Sequence, residues 1–183
     1  VMFGARAAAA VMGPRVVEHP QDPNIGSTDI YKRYFHGPSF QVLDRVVTLG
    51  ENGVDARPVA KKTAWLGTMG HEGFTTAPFL REAGFQAAGI WEMAELGRMA
   101  LPSGIDELIL GATPAEGTGL VIQARRRGTE ERGSVFDVWV RDEDGVVYDV
   151  MRGYRTATLR PLEAAGRFAT ASASKSTSTP AWI

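Results

Sequence analysis

Ala77-Pro78-Phe79-Leu80-Arg81-Glu82-Ala83-Gly84-Phe85-Gln86-Ala87-Ala88-Gly89-Ile90-Trp91 decides how this chain is read. From Pro78 to Trp91 only Arg81 and Glu82 carry charge, and apolar residues run almost all round the predicted helix rather than along one stripe. Such a helix is expected to be enclosed by other structure. A carboxylate in that setting is expensive to desolvate unless it is paired, hydrogen-bonded or protonated, and each of these shifts its pKa. Glu82 is therefore a candidate catalytic residue. Gln86, one turn further on, is placed to hydrogen-bond the carboxyl group and fix its orientation. The plain alternative is a helix residue at the solvent edge, pairing with Arg81 or Arg98.

Outward from the helix the pattern turns to strands. Gln41 to Leu49 reads as a first strand, ended by Gly50-Glu51-Asn52-Gly53, and Val54 to Lys61 as a second. Ser27 is a plausible cap for a short helix through Thr28 to Tyr34. After the central helix, Leu101-Pro102-Ser103-Gly104 breaks the pattern and Ile105 to Leu110 resumes an extended apolar segment. Gly119 to Arg126, Val135 to Arg141 and Val146 to Leu159 read as strands, the last two joined as a hairpin by Asp142-Glu143-Asp144-Gly145. Strand, strand, long helix, then three or four antiparallel strands is the order of an α+β hotdog fold, one long buried helix wrapped by a curved antiparallel β-sheet.

Composition narrows the function. The chain has 183 residues, of which 44% are hydrophobic, enough for one domain with its own core. With no cysteine there is no disulfide framework, thiolate nucleophile or cysteine-ligated zinc, and a reducing, cytoplasmic location is expected. A net charge of −1 gives no reason to expect nucleic acid or an anionic membrane as partner. No run approaches the ~18 apolar residues that span a bilayer. The chain begins with Val-Met and no basic region, so it reads as cut from a larger polypeptide. Residues 163–183, dominated by Ala, Ser and Thr, read as a disordered tail or linker.

Three motifs then meet a family. Tyr34-Phe35-His36-Gly37-Pro38-Ser39-Phe40 resembles the G-Y-x-Y-G-P-x-F motif of polyketide synthase dehydratase domains, Glu82-Ala83-Gly84-Phe85-Gln86 its D-x-x-x-Q or D-x-x-x-H, and Leu101-Pro102 its L-P-F-x-W segment. The order and approximate spacing agree over residues 28–162. The helix around Glu82 is also similar to that of the stand-alone 3-hydroxyacyl carrier-protein dehydratases of fatty-acid synthesis, which carry glutamate there. This chain departs from the polyketide pattern at Arg33 for Gly, His36 for the second Tyr and Glu82 for Asp, and Leu101-Pro102 is followed by Ser103-Gly104-Ile105.

The resemblance implies a chemistry and its parts. Removing water from a 3-hydroxyacyl thioester needs a base for the α-proton and an acid for the departing β-hydroxyl. In the family the carboxylate is the acid, so Glu82 is expected to be held protonated by burial, with Gln86 orienting it. The family's base is a histidine in H-x-x-x-G-x-x-x-x-P on the first hotdog of a double hotdog, a motif absent here. The chain accordingly resembles the second, C-terminal hotdog, residues 1–27 being the last strand of the first hotdog and a linker, and residues 28–162 the hotdog domain. Tyr34, His36, Gly37, Pro38, Phe40, Pro78 and Phe79 are expected to shape the substrate site. His36 and His71, in the loop that opens the helix, are the in-chain alternatives for a catalytic histidine; His19 reads as a surface residue. The implied substrate rides on the phosphopantetheine arm of an acyl carrier protein. The implied partners are that carrier, the N-terminal hotdog half, in the same polypeptide or as a pseudo-dimer, and other synthase domains. No metal or redox cofactor is implied. Two other readings stay open: a non-catalytic structural or acyl-binding hotdog half, and a hotdog thioesterase. Trp65, Trp91, Met93 and Phe79 suit an acyl tunnel or simply the core, and Arg125-Arg126-Arg127 suits an acidic carrier or a solvated strand end.

Overall fold

The computed structural model describes residues 23–60, 77–115 and 117–163. The expected N-terminal strand and linker lie outside these residues up to 22, as do the tail from 164, His19, Trp65 and His71.

The apolar stretch forms α2, Pro78–Glu95, with Pro78 in the first turn, where its missing N–H costs nothing. Leu80, Ala83, Ala87, Ala88, Ile90 and Met93 on it are all but fully buried. Each large aliphatic side chain hidden in this way contributes on the order of 1.5–3 kcal/mol. What hides them is a sheet ordered β1 (Leu43–Gly50), β2 (Gly53–Pro58), β5 (Leu120–Glu130), β6 (Gly133–Asp142), β7 (Val147–Pro161) and β3 (Arg98–Gly104), with β4 (Glu107–Leu110) also on β7. Every pairing is antiparallel. The sheet curls around α2 as expected for a hotdog. Its inward residues, among them Val54, Ile122, Phe136, Val138, Met151 and Tyr154, form one cluster with the helix. β7 is long enough to carry β6 on one side and β4 then β3 on the other. In the β6–β7 hairpin the Asp142 carboxylate accepts from Val146 N (2.8 Å) and the Tyr148 hydroxyl (2.9 Å), while Gly145 takes a positive φ of 90°.

The structure corrects several boundaries. Leu101-Pro102-Ser103-Gly104 does not break the pattern but lies in β3, where Pro102 pairs with Thr156. A proline is tolerated there because β3 ends the strand order, and a register shift between Pro102 and Gly104 absorbs the missing donor. The extended segment after it is only Glu107–Leu110, and β2 stops at Pro58 rather than Lys61. The first helix, α1, is Ser27–Tyr31, capped by Gly26 rather than Ser27. Tyr34 therefore sits in the turn beyond it.

The helix also runs past Trp91, and that extension carries its one fully buried carboxylate, Glu92, at 0% exposure. Glu92 accepts from Arg98 Nε (2.6 Å) and from the Thr156 hydroxyl (2.6 Å), and Arg98 Nη2 donates to the Ser134 hydroxyl (3.1 Å). A buried ion pair is tolerable when its remaining hydrogen-bonding capacity is satisfied in this way. The knot ties the C-terminal end of α2 to β3, β6 and β7.

At the other end of α2, Arg81 Nη1 pairs with Asp149 on β7 at 3.0 Å. Glu82 thus pairs with neither Arg81 nor Arg98, which hold Asp149 and Glu92 instead. The Asp149 side chain is 5% exposed, and its Oδ1 is buried without a hydrogen-bond partner. Burial outweighs Arg81 and pushes the carboxyl up from 3.8 to about 6. The folded state therefore binds this proton more tightly than the unfolded state does. The resulting stabilisation is complete below pH 3.8 and is lost as the pH rises through about 6. Asp149→Asn removes that dependence. Urea denaturation of wild type and variant across this range is expected to show the wild type losing roughly 3 kcal/mol relative to the variant as pH rises.

Candidate active site

The site is made where the turn after α1 folds onto the first half of α2. Tyr31, on α1, accepts a hydrogen bond from Leu43 N (2.7 Å) and donates to Gln86 Oε1 (2.7 Å). Tyr34 donates to the backbone carbonyl of Gln86 (2.6 Å). Gly89 makes room for this phenol, since a Cβ there would collide with the Tyr34 hydroxyl. Pro38 opens a 3₁₀ turn, Pro38–Phe40, which delivers the Phe40 carbonyl to Gln86 Nε2 at 2.8 Å. The other Nε2 hydrogen goes to Glu82 Oε1 at 2.7 Å. Gln86 is 2% exposed, and with both amide hydrogens and its oxygen engaged it meets the requirement of a buried polar group.

Glu82 is less enclosed than the sequence reading held: its side chain keeps 22% of its exposure, and His36 Nε2 lies 3.3 Å from its Oε1. Burial by itself would raise its pKa. The nearby His36 and the hydrogen bond from Gln86 outweigh burial and hold the carboxyl below its usual value of 4.5. The shift runs opposite to the one expected from burial, and the donors around Glu82 favour its ionised form. The surrounding phenols stay neutral, because burial pushes Tyr31 up to about 12 and Tyr34 and Tyr154 also upward.

Of the expected site residues, the fold brings together Glu82, Gln86, His36, Tyr34 and the backbone of Phe40. Gly37 and Pro38 are exposed and shape the turn between them. Phe40 keeps 44% exposure and Phe35 65%, and Phe35 stacks on the His36 ring, centroids 4.7 Å apart. Pro78 and Phe79 lie at the start of α2, within a turn of Glu82. Tyr31 was missed, although its spacing from Tyr34 puts both on one face of the predicted short helix.

A family model described as polyketide synthase dehydratase N-terminal domain matches residues 18–166. The chain belongs to the polyketide synthase dehydratase family. Among solved structures it is similar to a trans-AT polyketide synthase dehydratase domain from Brevibacillus brevis, with TM-score 0.60, 22% identity, and 74% of this chain and 48% of that chain covered. The dehydratase heterocomplex ApeI:P from Xenorhabdus doucetiae is similar with TM-score 0.56 at 17% identity, covering 70% of this chain and 90% of that one. A hypothetical thioesterase with coenzyme A from Streptococcus pneumoniae gives TM-score 0.56 at 11% identity, covering 75% of this chain and 100% of that one. At these identities the likeness is one of fold, and it supports the hotdog architecture. The chain spans about half the length of the polyketide synthase dehydratase domains it matches. No curated protein matches it in sequence. Among the described residues of this dehydratase-family chain, no helix is long and apolar enough to cross a membrane.

Gly89→Ala tests the packing of the site. The new methyl is expected to drive the Tyr34 phenol off the Gln86 carbonyl at a cost of about 1–3 kcal/mol, read as a lower urea midpoint with an unchanged slope.

Proposed function

We propose that this chain is the C-terminal hotdog of a polyketide-synthase-type dehydratase. It removes water from a 3-hydroxyacyl thioester carried on the phosphopantetheine of an acyl carrier protein and yields the 2,3-enoyl thioester. The observation that carries the reading is the Glu82–Gln86 pair on the central helix, faced by His36 from the G-P turn. One carboxylate, held by a satisfied amide and open on its remaining side, is the kind of group around which acid–base work on an acyl chain is built. Tyr34, Pro38, Phe40, Pro78 and Phe79 would flank the chain, and Gln86 would keep the carboxylate in register.

The placement in the second hotdog rests on the three motifs and their order, although the matching family model is described as an N-terminal domain. The partner would be an N-terminal hotdog, in the same polypeptide or as a pseudo-dimer, alongside other synthase domains. The resemblance assigns the base to a histidine of that partner. No cofactor is required by the chemistry.

One observation favours a second reading. A carboxylate held ionised suits the activation of water against a thioester carbonyl, as in a hotdog thioesterase. Incubating the protein, alone and joined to an N-terminal hotdog, with a 3-hydroxybutyryl pantetheine thioester separates these readings by mass spectrometry. Enoyl product, lowered a hundredfold or more by Glu82→Gln, is expected. Free acid would mean the thioesterase, and an unchanged substrate a non-catalytic hotdog half.

A further inference from the structure

Tyr31 has no part in the dehydratase reading, yet it stands in a line of hydrogen bonds whose direction two backbone groups dictate. α1 is pinned by Ile30, which is fully buried, and by Ile25, whose carbonyl accepts from Val46 N on β1 at 2.9 Å. The Tyr31 hydroxyl is thereby set between Leu43 N and Gln86 Oε1, 2.7 Å from each. A backbone N–H can only donate, so the phenol oxygen accepts from Leu43 and its own hydrogen goes to Gln86. On the far side the Phe40 carbonyl can only accept, so it faces the Gln86 nitrogen, at 2.8 Å. An amide turned over would set oxygen against oxygen at Phe40 and N–H against O–H at Tyr31. Gln86 is 2% exposed, and burial makes such a mismatch costly. The second amide hydrogen is therefore committed to Glu82 Oε1, at 2.7 Å.

We propose that Tyr31 is a positioning residue of the site: by fixing the sense of the Gln86 amide it commits Glu82 Oε1 to accepting a hydrogen bond and leaves Oε2 as the oxygen that meets the substrate. The inference rests on the dehydratase reading and adds to it a residue and an atom. Oε1 takes the Gln86 N–H and has His36 Nε2 at 3.3 Å. Among the described residues none donates to Oε2, which is also not one of the buried atoms left without a partner. The 22% exposure of the Glu82 side chain therefore includes this oxygen. In a protonated carboxyl the carbonyl oxygen is the better acceptor of an N–H, so a proton on Glu82 sits on Oε2, and exchange with an acyl chain passes through that atom. Tyr31 remains a neutral phenol over the working range, burial having pushed it up to about 12, so its hold on the amide does not lapse with pH. Tyr34 donates instead to the Gln86 backbone carbonyl, at 2.6 Å; it holds the helix and not the side-chain amide.

The test compares Tyr31→Phe with Tyr34→Phe, each keeping its ring and losing one phenol hydrogen bond to Gln86. The Glu82 carboxyl is followed by ¹³C NMR of the full chain. In Tyr31→Phe it is expected to titrate at higher pH than in wild type, because the Gln86 N–H is no longer held on it. In Tyr34→Phe it is expected to titrate where wild type does. His36, Tyr34 and Tyr154, the other titratable groups coupled to Glu82, are left in place by Tyr31→Phe. With 3-hydroxybutyryl pantetheine thioester and the chain joined to an N-terminal hotdog, Tyr31→Phe is expected to lose on the order of tenfold in kcat with KM little changed. The carboxyl limb of its pH–rate profile moves the same way as the titration. A Glu82 titration unmoved by Tyr31→Phe, or moved equally by Tyr34→Phe, overturns the inference and leaves the dehydratase reading standing. No enoyl product from wild type sinks that reading and the substrate role of Oε2, while the titration still judges the hold of Tyr31 on Gln86. Wild type alone decides the amide if Tyr31→Phe does not fold. NMR couplings across hydrogen bonds are expected from Gln86 Nε2 to the Phe40 carbonyl carbon and to Glu82 Cδ, and an Nε2 found facing Tyr31 overturns the inference.

Discussion

An 18-residue helix with apolar residues on nearly every side is stable in water only when something surrounds it, and that constraint organises the rest of the molecule. The curled sheet is the answer to it. Enclosure then makes every polar side chain on α2 a problem with few solutions. Glu92, Arg81 and Gln86 each tie the helix to a different part of the chain. Glu92 binds Arg98 and Thr156 at the C-terminal end, and Arg81 meets Asp149 near the N-terminal end. Gln86, in the middle, gathers Tyr31, Phe40 and Glu82. Only this middle tie includes a carboxylate with part of its surface left to solvent. Structure and site therefore share one origin: the polar residues that the buried helix had to accommodate.

The two glutamates of α2 show how surroundings divide their work. Glu92 is fully buried and fully engaged, with an arginine and a hydroxyl locked onto it; its role is architectural. Glu82 is held by an amide and an imidazole yet remains partly open, and these donors more than offset the desolvation that would otherwise protonate it. An ionised Glu82 is a poor proton donor at neutral pH and a good partner for a histidine. Such a carboxylate differs from the protonated acid that the family resemblance implies.

Much of this was legible in the sequence. The succession of strands around one apolar helix specified the hotdog, and the four-residue spacing of Glu82 and Gln86 specified their contact, because both are local patterns read from period alone. The end of the helix was also within reach: Gly97, with φ of 60°, is a stop signal just beyond it, and reading past Trp91 would have exposed Glu92. β3 was misread because its proline looks like a breaker in isolation and is harmless at the end of the strand order, a position no local pattern reveals. The charge state of Glu82 and the contact with His36 were not legible at all. They depend on a turn after α1 folding back onto a helix more than forty residues away, and a pKa set by such a contact exists only in three dimensions.

The claim on which the account stands is that the Glu82, Gln86 and His36 constellation is where an acyl thioester is held. A crystal structure of the chain, joined to an N-terminal hotdog, with a non-cleavable 3-hydroxyacyl pantetheine amide bound tests it most directly. The β-hydroxyl within hydrogen-bond reach, about 3.2 Å or less, of His36 or Glu82, with the Glu82–Gln86 bond intact, is the predicted result. An acyl chain lodged elsewhere, with this constellation unchanged and untouched, would contradict it.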